Sequence, residues 1–229
     1  MKKTLGYKLN IFLFLLPALI LFVGVLIAPI FMSLGYSFTN WNGMKEPVFI
    51  GLSNYKELFT SKSINIIRAL KNAMLLAGLS VFIQLTFALW LALKLGKKPK
   101  GERAFLSIFF MPVLISTVVI GQLWLKIYNP DYGVLNMALQ SLGLEKWTRV
   151  WLGDKKTVLW ACFVPILWQY VGYHMLLMYA GIKGVPTELS EAAMLDGCTE
   201  GQLNRYIIIP YIKPILRVSV IFAVTGSLK

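Results

Sequence analysis

Four of the chain's ten acidic residues, Glu188, Glu191, Asp196 and Glu200, fall within thirteen positions of TELSEAAMLDGCTEGQLNRYIIIP, residues 187–210. Clustered carboxylates can share acid–base work or hold a cation. Glu191 and Asp196, however, are five apart, and at about 100° of turn per residue they lie on different helical faces. His174 is the only histidine, so it reads as a packed polar residue and not as half of a metal pair. Cys162 lies in an apolar block and Cys198 in the polar stretch. Without metal-ligand spacing, and so placed, they suggest no structural disulfide. Residues 95–99, LGKKP, lack the upstream glycine and following Ser/Thr of a phosphate-binding loop, and no zinc-protease or serine-hydrolase motif occurs. No cofactor or metal is expected, and the chain is not expected to be an enzyme.

The elements that must carry these residues are set by composition. The hydrophobic fraction is 57% and the charged fraction 14%, against about 45–50% and 25% in soluble domains. An all-α integral membrane protein is the class that fits. The net charge of +13 does not point to nucleic acid, because the basic residues flank apolar runs. A helix needs about 20 apolar residues to cross a hydrocarbon core about 30 Å thick. Blocks at 11–34, 69–93, 104–127 and 157–182 meet that length. They predict four full transmembrane helices, with a shorter fifth beginning near Ile212. The first block exceeds a signal peptide's apolar region and lacks a small-residue cleavage site, so it reads as an uncleaved helix.

Lys2, Lys3 and Lys8 precede the first block, and Lys94, Lys97, Lys98, Lys100 and Arg103 crowd the second connection. Lys/Arg density places both in the cytoplasm. The N-terminus and residues 183–213 are then cytoplasmic. The longer connections, 35–68 and 128–156, with their tryptophans and tyrosines, face outside.

The polar island reads as two short helices joined at a glycine on the membrane surface. Thr187 is a candidate N-cap. Glu188 and Glu191 then complement the helix dipole, a solvated role worth about 0.3–1 kcal/mol. Leu189, Ala192 and Ala193 share a face, and Gly197 is the natural stop. Thr199 and Gln202 fit a capping box, with Leu203, Tyr206 and Ile207 as the stripe of the second helix. An amphipathic connector on lipid headgroups is one reading. A protein partner is the other: Ala192-Ala193 permits close approach, and the acids would be repelled by anionic lipid.

Gln84, Gln122, Gln169 and His174 interrupt apolar blocks, where polar groups usually face the bundle interior. Gln84 reads as a helix–helix hydrogen bond, worth about 0.6 kcal/mol. In WQYVGYHM, residues 168–175, Trp168, Gln169, Tyr170, Tyr173 and His174 combine aromatic faces with hydrogen-bonding groups suited to a sugar. Anchoring in an interfacial aromatic belt is the competing explanation for Trp168 and the tyrosines.

The island also carries a resemblance. Glu191-Ala192-Ala193, three residues, Gly197, nine residues, then Ile207-Ile208-Ile209-Pro210 matches the EAA loop of binding-protein-dependent ABC importer permeases, with Ile209 where leucine is usual. GLSNYKELF, PVLISTVVIGQLW and NPDYGVLN are similar to the carbohydrate and glycerol-phosphate uptake members, in the same order. The resemblance implies a type I permease fold (MetI-like) over 1–229, with 183–213 as the coupling loop. It implies as partners ABC ATPase subunits, a second permease subunit and an extracytoplasmic sugar-binding protein. Glu191, Ala192, Ala193, Gly197, Leu203, Ile207 and Pro210 would serve ATPase coupling. Gln122, Trp168, Gln169, Tyr173 and His174 would be candidates for the substrate path. The alternative is a membrane-embedded enzyme of lipid or lipid-linked sugar metabolism.

Overall fold

The computed structural model describes residues 2–61, 65–97 and 99–228, with side chains from Lys8 onward. Lys98, Lys229 and the side chains of Lys2 and Lys3 lie outside the described residues. Contacts separate residues 1–70 from 71–229, and each unit is described by itself.

In the first unit, α1 (Lys2–Phe22) runs through one π-turn at Val23–Ile27 into α2 (Ala28–Tyr36). The span Lys8–Tyr36 has 29 residues, about 43 Å at 1.5 Å each, enough to cross the hydrocarbon. Its apolar side chains are exposed, Phe14 to 87%, as a lipid-facing helix requires. A two-residue antiparallel pair follows, β1 (Thr39–Asn40) with β2 (Val48–Phe49), then α3 (Ser53–Thr60). Asn54 ties them together by donating from Nδ2 to the carbonyls of Ser37 and Thr39, each at 2.9 Å.

A second span, Ile66–Gly96, joins α4 (Ile66–Leu79), a π-turn at Ser80–Gln84 and α5 (Leu85–Gly96). After it come α6 (Glu102–Leu114), α7 (Thr117–Ile127), α8 (Val134–Ser141) and a 3₁₀ turn at Glu145–Trp147. The third span is α9 (Val158–Lys183). Then follow α10 (Thr187–Leu195), α11 (Glu200–Leu203), a π-turn at Asn204–Ile208, α12 (Ile209–Tyr211) and α13 (Lys213–Ser227).

The second unit is organised around α9. Lipid tails supply no hydrophobic drive between helices, so close backbone approach must hold them. Glycines provide it. A Cβ at Gly172 would sit 1.8 Å from the Phe109 carbonyl oxygen of α6, and one at Gly181 would meet the Ile215 side chain of α13 at 2.3 Å. Nine residues at about 100° each put these glycines on opposite faces. Met175, Met178 and Ile182 point between them and pack with Ala88, Leu91, Ala92 and Leu95 of α5. Gln84 makes the helix–helix bond expected of it, donating from Nε2 to the Leu167 carbonyl at 3.0 Å.

The block 104–127 is not one straight span. Ile115 and Ser116 are both extended, with ψ of 138°, and α6 and α7 meet at 99°. The break leaves the Ile115 carbonyl without its helical partner. Gln169, buried in α9, donates to it from Nε2 at 3.5 Å. Irregular backbone at membrane depth requires such a substitute.

The connection after α7 is closed by one amide. Asn136 donates from Nδ2 to the carbonyls of Pro130 (3.2 Å) and Arg149 (3.1 Å). Its Oδ1 accepts from the Trp151 indole at 2.8 Å.

Gly172→Ala should damage this packing, because the added methyl meets backbone and not a flexible side chain. Overpacking of this kind costs about 1–3 kcal/mol. Thermal unfolding of the detergent-solubilised protein should show a clear drop. Gly78→Ala, where a Cβ meets nothing within 4 Å, should unfold like the parent. Equal stability of both variants would contradict the packing described.

Candidate functional site

Two regions collect the residues singled out from sequence. The first is the polar island. Helix α10 starts at Thr187 with Pro186 before it in extended conformation and no side-chain cap. Thr187 is thus a first-turn residue and not the N-cap, a correction that follows from the extended Pro186 backbone. The helix ends as expected. Gly197 has φ +78°, a left-handed geometry that favours glycine. Its N–H donates to Met194 O and that of Cys198 to Ala193 O, each at 3.0 Å, the paired closure of a Schellman motif. Thr199 and Gln202 form the capping box: Thr199 N donates to Gln202 Oε1 at 2.8 Å, and Gln202 N to Thr199 Oγ1 at 3.4 Å.

The second helix departs from its expected stripe. Leu203 is buried and Ile207 half-buried, but Tyr206 is 65% exposed. The π-turn at Asn204–Ile208 adds a residue to the turn and rotates the face. Ile208 packs against the bundle core in its place. Pro210 is exposed at the end of this segment.

Helix α10 buries none of its residues. Glu191 and Ala192 are exposed and Ala193 half-buried. Leu189, Met194 and Leu195 are also exposed, Leu195 to 89%. A shallow hollow of about 300 Å³ lies between the two short helices, lined by Ala193, Asp196, Gly197, Cys198, Gln202 and Tyr206. Glu200 pairs with Lys97. That ammonium, through its hydrogen bond and its charge, holds the Glu200 carboxyl below its ordinary range. A depressed carboxylate contributes above its unfolded pKa and is lost as pH falls through the folded value.

The second region is a cavity of about 460 Å³ bordered by α9, α13 and the π-turn at Ser80–Gln84. Tyr173 and His174 line it together, their rings 5.3 Å apart. His174 is 4% exposed, and its Nδ1 has no hydrogen-bond partner among the described residues. Gln84, Tyr170, Phe222 and Ser227 are among the other polar and aromatic groups that line it. Gln84 reaches this cavity although its sequence context signalled packing alone. Phe222 and Ser227 carried no signal, because they lie in a plain apolar block.

The other three expected residues lie apart from this cavity. Gln169 borders a second hollow of about 320 Å³ with Thr117, Trp124 and Tyr128. Trp168 is exposed and meets Trp124 edge-on at 5.9 Å. Gln122 is exposed on α7.

Residues 84–229 match the family described as the binding-protein-dependent transport system inner membrane component. A probable ABC transporter permease of Bacillus subtilis (strain 168) is 40% identical over 223 residues, covering 96% of this chain and 75% of its own length. A probable starch degradation products transport system permease of Thermoanaerobacterium thermosulfurigenes is 31% identical over 232 residues, covering all of this chain and 77% of itself. The crystal structure of a bacterial ABC transporter that imports the acidic polysaccharide alginate superposes with a TM-score of 0.80 at 25% identity. That match covers 99% of this chain and 76% of the other. These relatives are transport subunits, and the membrane-enzyme alternative finds no support among them. The chain therefore belongs to the membrane-spanning permease family of binding-protein-dependent ABC transporters.

Proposed function

We propose that this chain is a permease subunit of an ABC importer for a sugar or oligosaccharide, and that α10 is its docking helix for an ATPase subunit. The observation that carries the docking is the exposure of α10. A polar island keeps Leu189, Ala192, Met194 and Leu195 on its surface and buries none of them. Exposed apolar groups rimmed by charge mark an interaction surface, and repulsion of the island's acids by anionic lipid favours a protein over the membrane as its partner. Glu191 pairs with a basic group of the ATPase groove, and Ala192 and Ala193 let the helix seat closely. Gly197 sets the angle to the second helix, which Leu203 and Ile207 anchor and Pro210 leads back to the membrane.

Carbohydrate is supported as the substrate class by the relatives named for starch degradation products and for alginate. The cavity at Tyr173 and His174 offers aromatic faces and hydrogen-bonding groups suited to it. Gln169, Trp168 and Gln122 are candidates for the remainder of the path. Residues 183–213 are the cytoplasmic coupling loop of one permease domain, with the N-terminus also cytoplasmic. A second permease subunit and an extracytoplasmic sugar-binding protein complete the assembly, and nucleotide hydrolysis belongs to the ATPase.

In source cells carrying the full-length chain, Glu191→Ala should abolish most uptake of labelled sugar while permease abundance stays normal. Undiminished uptake by a normally abundant variant would overturn the docking role. Tyr173→Ala and His174→Ala should instead raise the KM for uptake with the ATPase still attached. Wild-type KM in both would remove the cavity from the path. At Gly197, Val forces a β-branched residue into left-handed backbone, a conformation costing about 1–2 kcal/mol for ordinary residues. Uptake per ATP should fall further in Gly197→Val than in Gly197→Asn, with insertion intact in both. Equal coupling in the two variants would show that the left-handed turn does not matter.

A further inference from the structure

Helix α10 buries no residue, so packing along its length does not fix its position. Its two ends are held in another way. At the leading end, Lys183 lies four residues before Thr187. Its ammonium is 3.2 Å from Glu102 Oε1 and donates to the Gly96 carbonyl at 3.4 Å. Tyr179, one helical turn earlier, donates its hydroxyl to the same Glu102 oxygen. At the trailing end, Glu200 lies three residues beyond Gly197 and pairs with Lys97.

Both tethers land on the short connection between α5 and α6. Of the basic residues on this connection Lys97 makes the ion pair with Glu200, and Glu102 makes the one with Lys183. The flanks of α10 offer the complements, Glu200 and Lys183. The Glu102–Lys183 pair is the sheltered one, with side-chain exposures of 20% and 27%. Gly96 adds steric definition, since a Cβ there would meet the Ile182 side chain at 2.8 Å. Glu102 sits in the first turn of α6, after Gly101 at φ +86°.

We propose that Lys97, Glu102, Lys183 and Glu200 form a two-point ionic harness that fixes α10 against the α5–α6 connection. They are positioning residues: displacement of α10 passes through them to the ends of α5, α6 and α9. The coupling part of this proposal rests on the reading of α10 as the ATPase-docking helix. The harness itself does not. The opposite charge order at the two points also disfavours a misplaced loop, because a swapped pairing sets like charges together.

The test uses the full-length permease in nanodiscs, with Cys162 and Cys198 replaced by serine. Spin labels at Met194 in α10 and Ser107 in α6, both exposed, report the distance distribution. Glu200→Lys and Glu102→Gln should each widen it about twofold, and the swap Lys97→Glu with Glu200→Lys should restore the narrow form, the signature of a direct pair. If Glu200→Lys is poorly folded, the isosteric Glu200→Gln should widen it likewise. Unchanged width in the single variants, or a swap as broad as Glu200→Lys alone, would overturn the harness. In the reconstituted transporter, substrate moved per ATP should fall about threefold in Glu200→Lys and recover in the swap. A widened distribution with an unchanged ratio would refute the positioning role in coupling. A widened distribution in a permease that no ATPase engages would leave the harness standing and remove the docking reading instead.

Discussion

Water is absent from the core of a bilayer, so every backbone N–H and C=O there must find a partner within the protein. Helices satisfy that demand within themselves, and the three unbroken spans of this chain are helices throughout. Where the helix breaks at Ile115–Ser116, a side chain from elsewhere must stand in. Gln169 does so from α9. Because lipid offers no hydrophobic drive for helix association, contact must come from fit. Gly172 and Gly181 supply that fit on opposite faces of α9, with Ala88 and Ala92 of α5 closing the third side.

The same constraint explains why the polar island stands where it does. Its acids cannot enter hydrocarbon, and its α10 exposes apolar side chains that a wholly solvated helix does not need. It is held at its ends by ion pairs and left open along its length. That arrangement fits the docking role proposed for it. The Tyr173–His174 cavity follows the opposite logic. There, polar groups lie inside the bundle with bonding capacity left over, which suits a cargo that is itself polar.

Legibility in the sequence depended on the range of each interaction. The island was readable because its signals are local. Thr199 and Gln202 are three apart, and Gly197 follows the last helical residue closely. The apolar blocks were readable because membrane thickness fixes their length. The bend at Ser116 was not, since PVLISTVVIGQLW is apolar on both sides of it and two extended residues leave no compositional trace. Nor was the exposure of Tyr206, which depends on a π-turn that shifts the face by one residue. Asn136 reaching Trp151, and Lys97 reaching Glu200, join residues whose partners only the fold selects. The resemblance to importer permeases supplied what local chemistry could not, namely the proposal that the island docks an ATPase.

The most direct test of that claim is a crosslink. A single cysteine at Ala193, with Cys162 and Cys198 replaced, is placed in the full-length permease in membranes from the source cell. The account predicts capture of an ABC ATPase subunit, with a yield that changes between nucleotide-bound and nucleotide-free states. A stably inserted permease that captures no ATPase in either state would contradict it and return the island to the lipid surface.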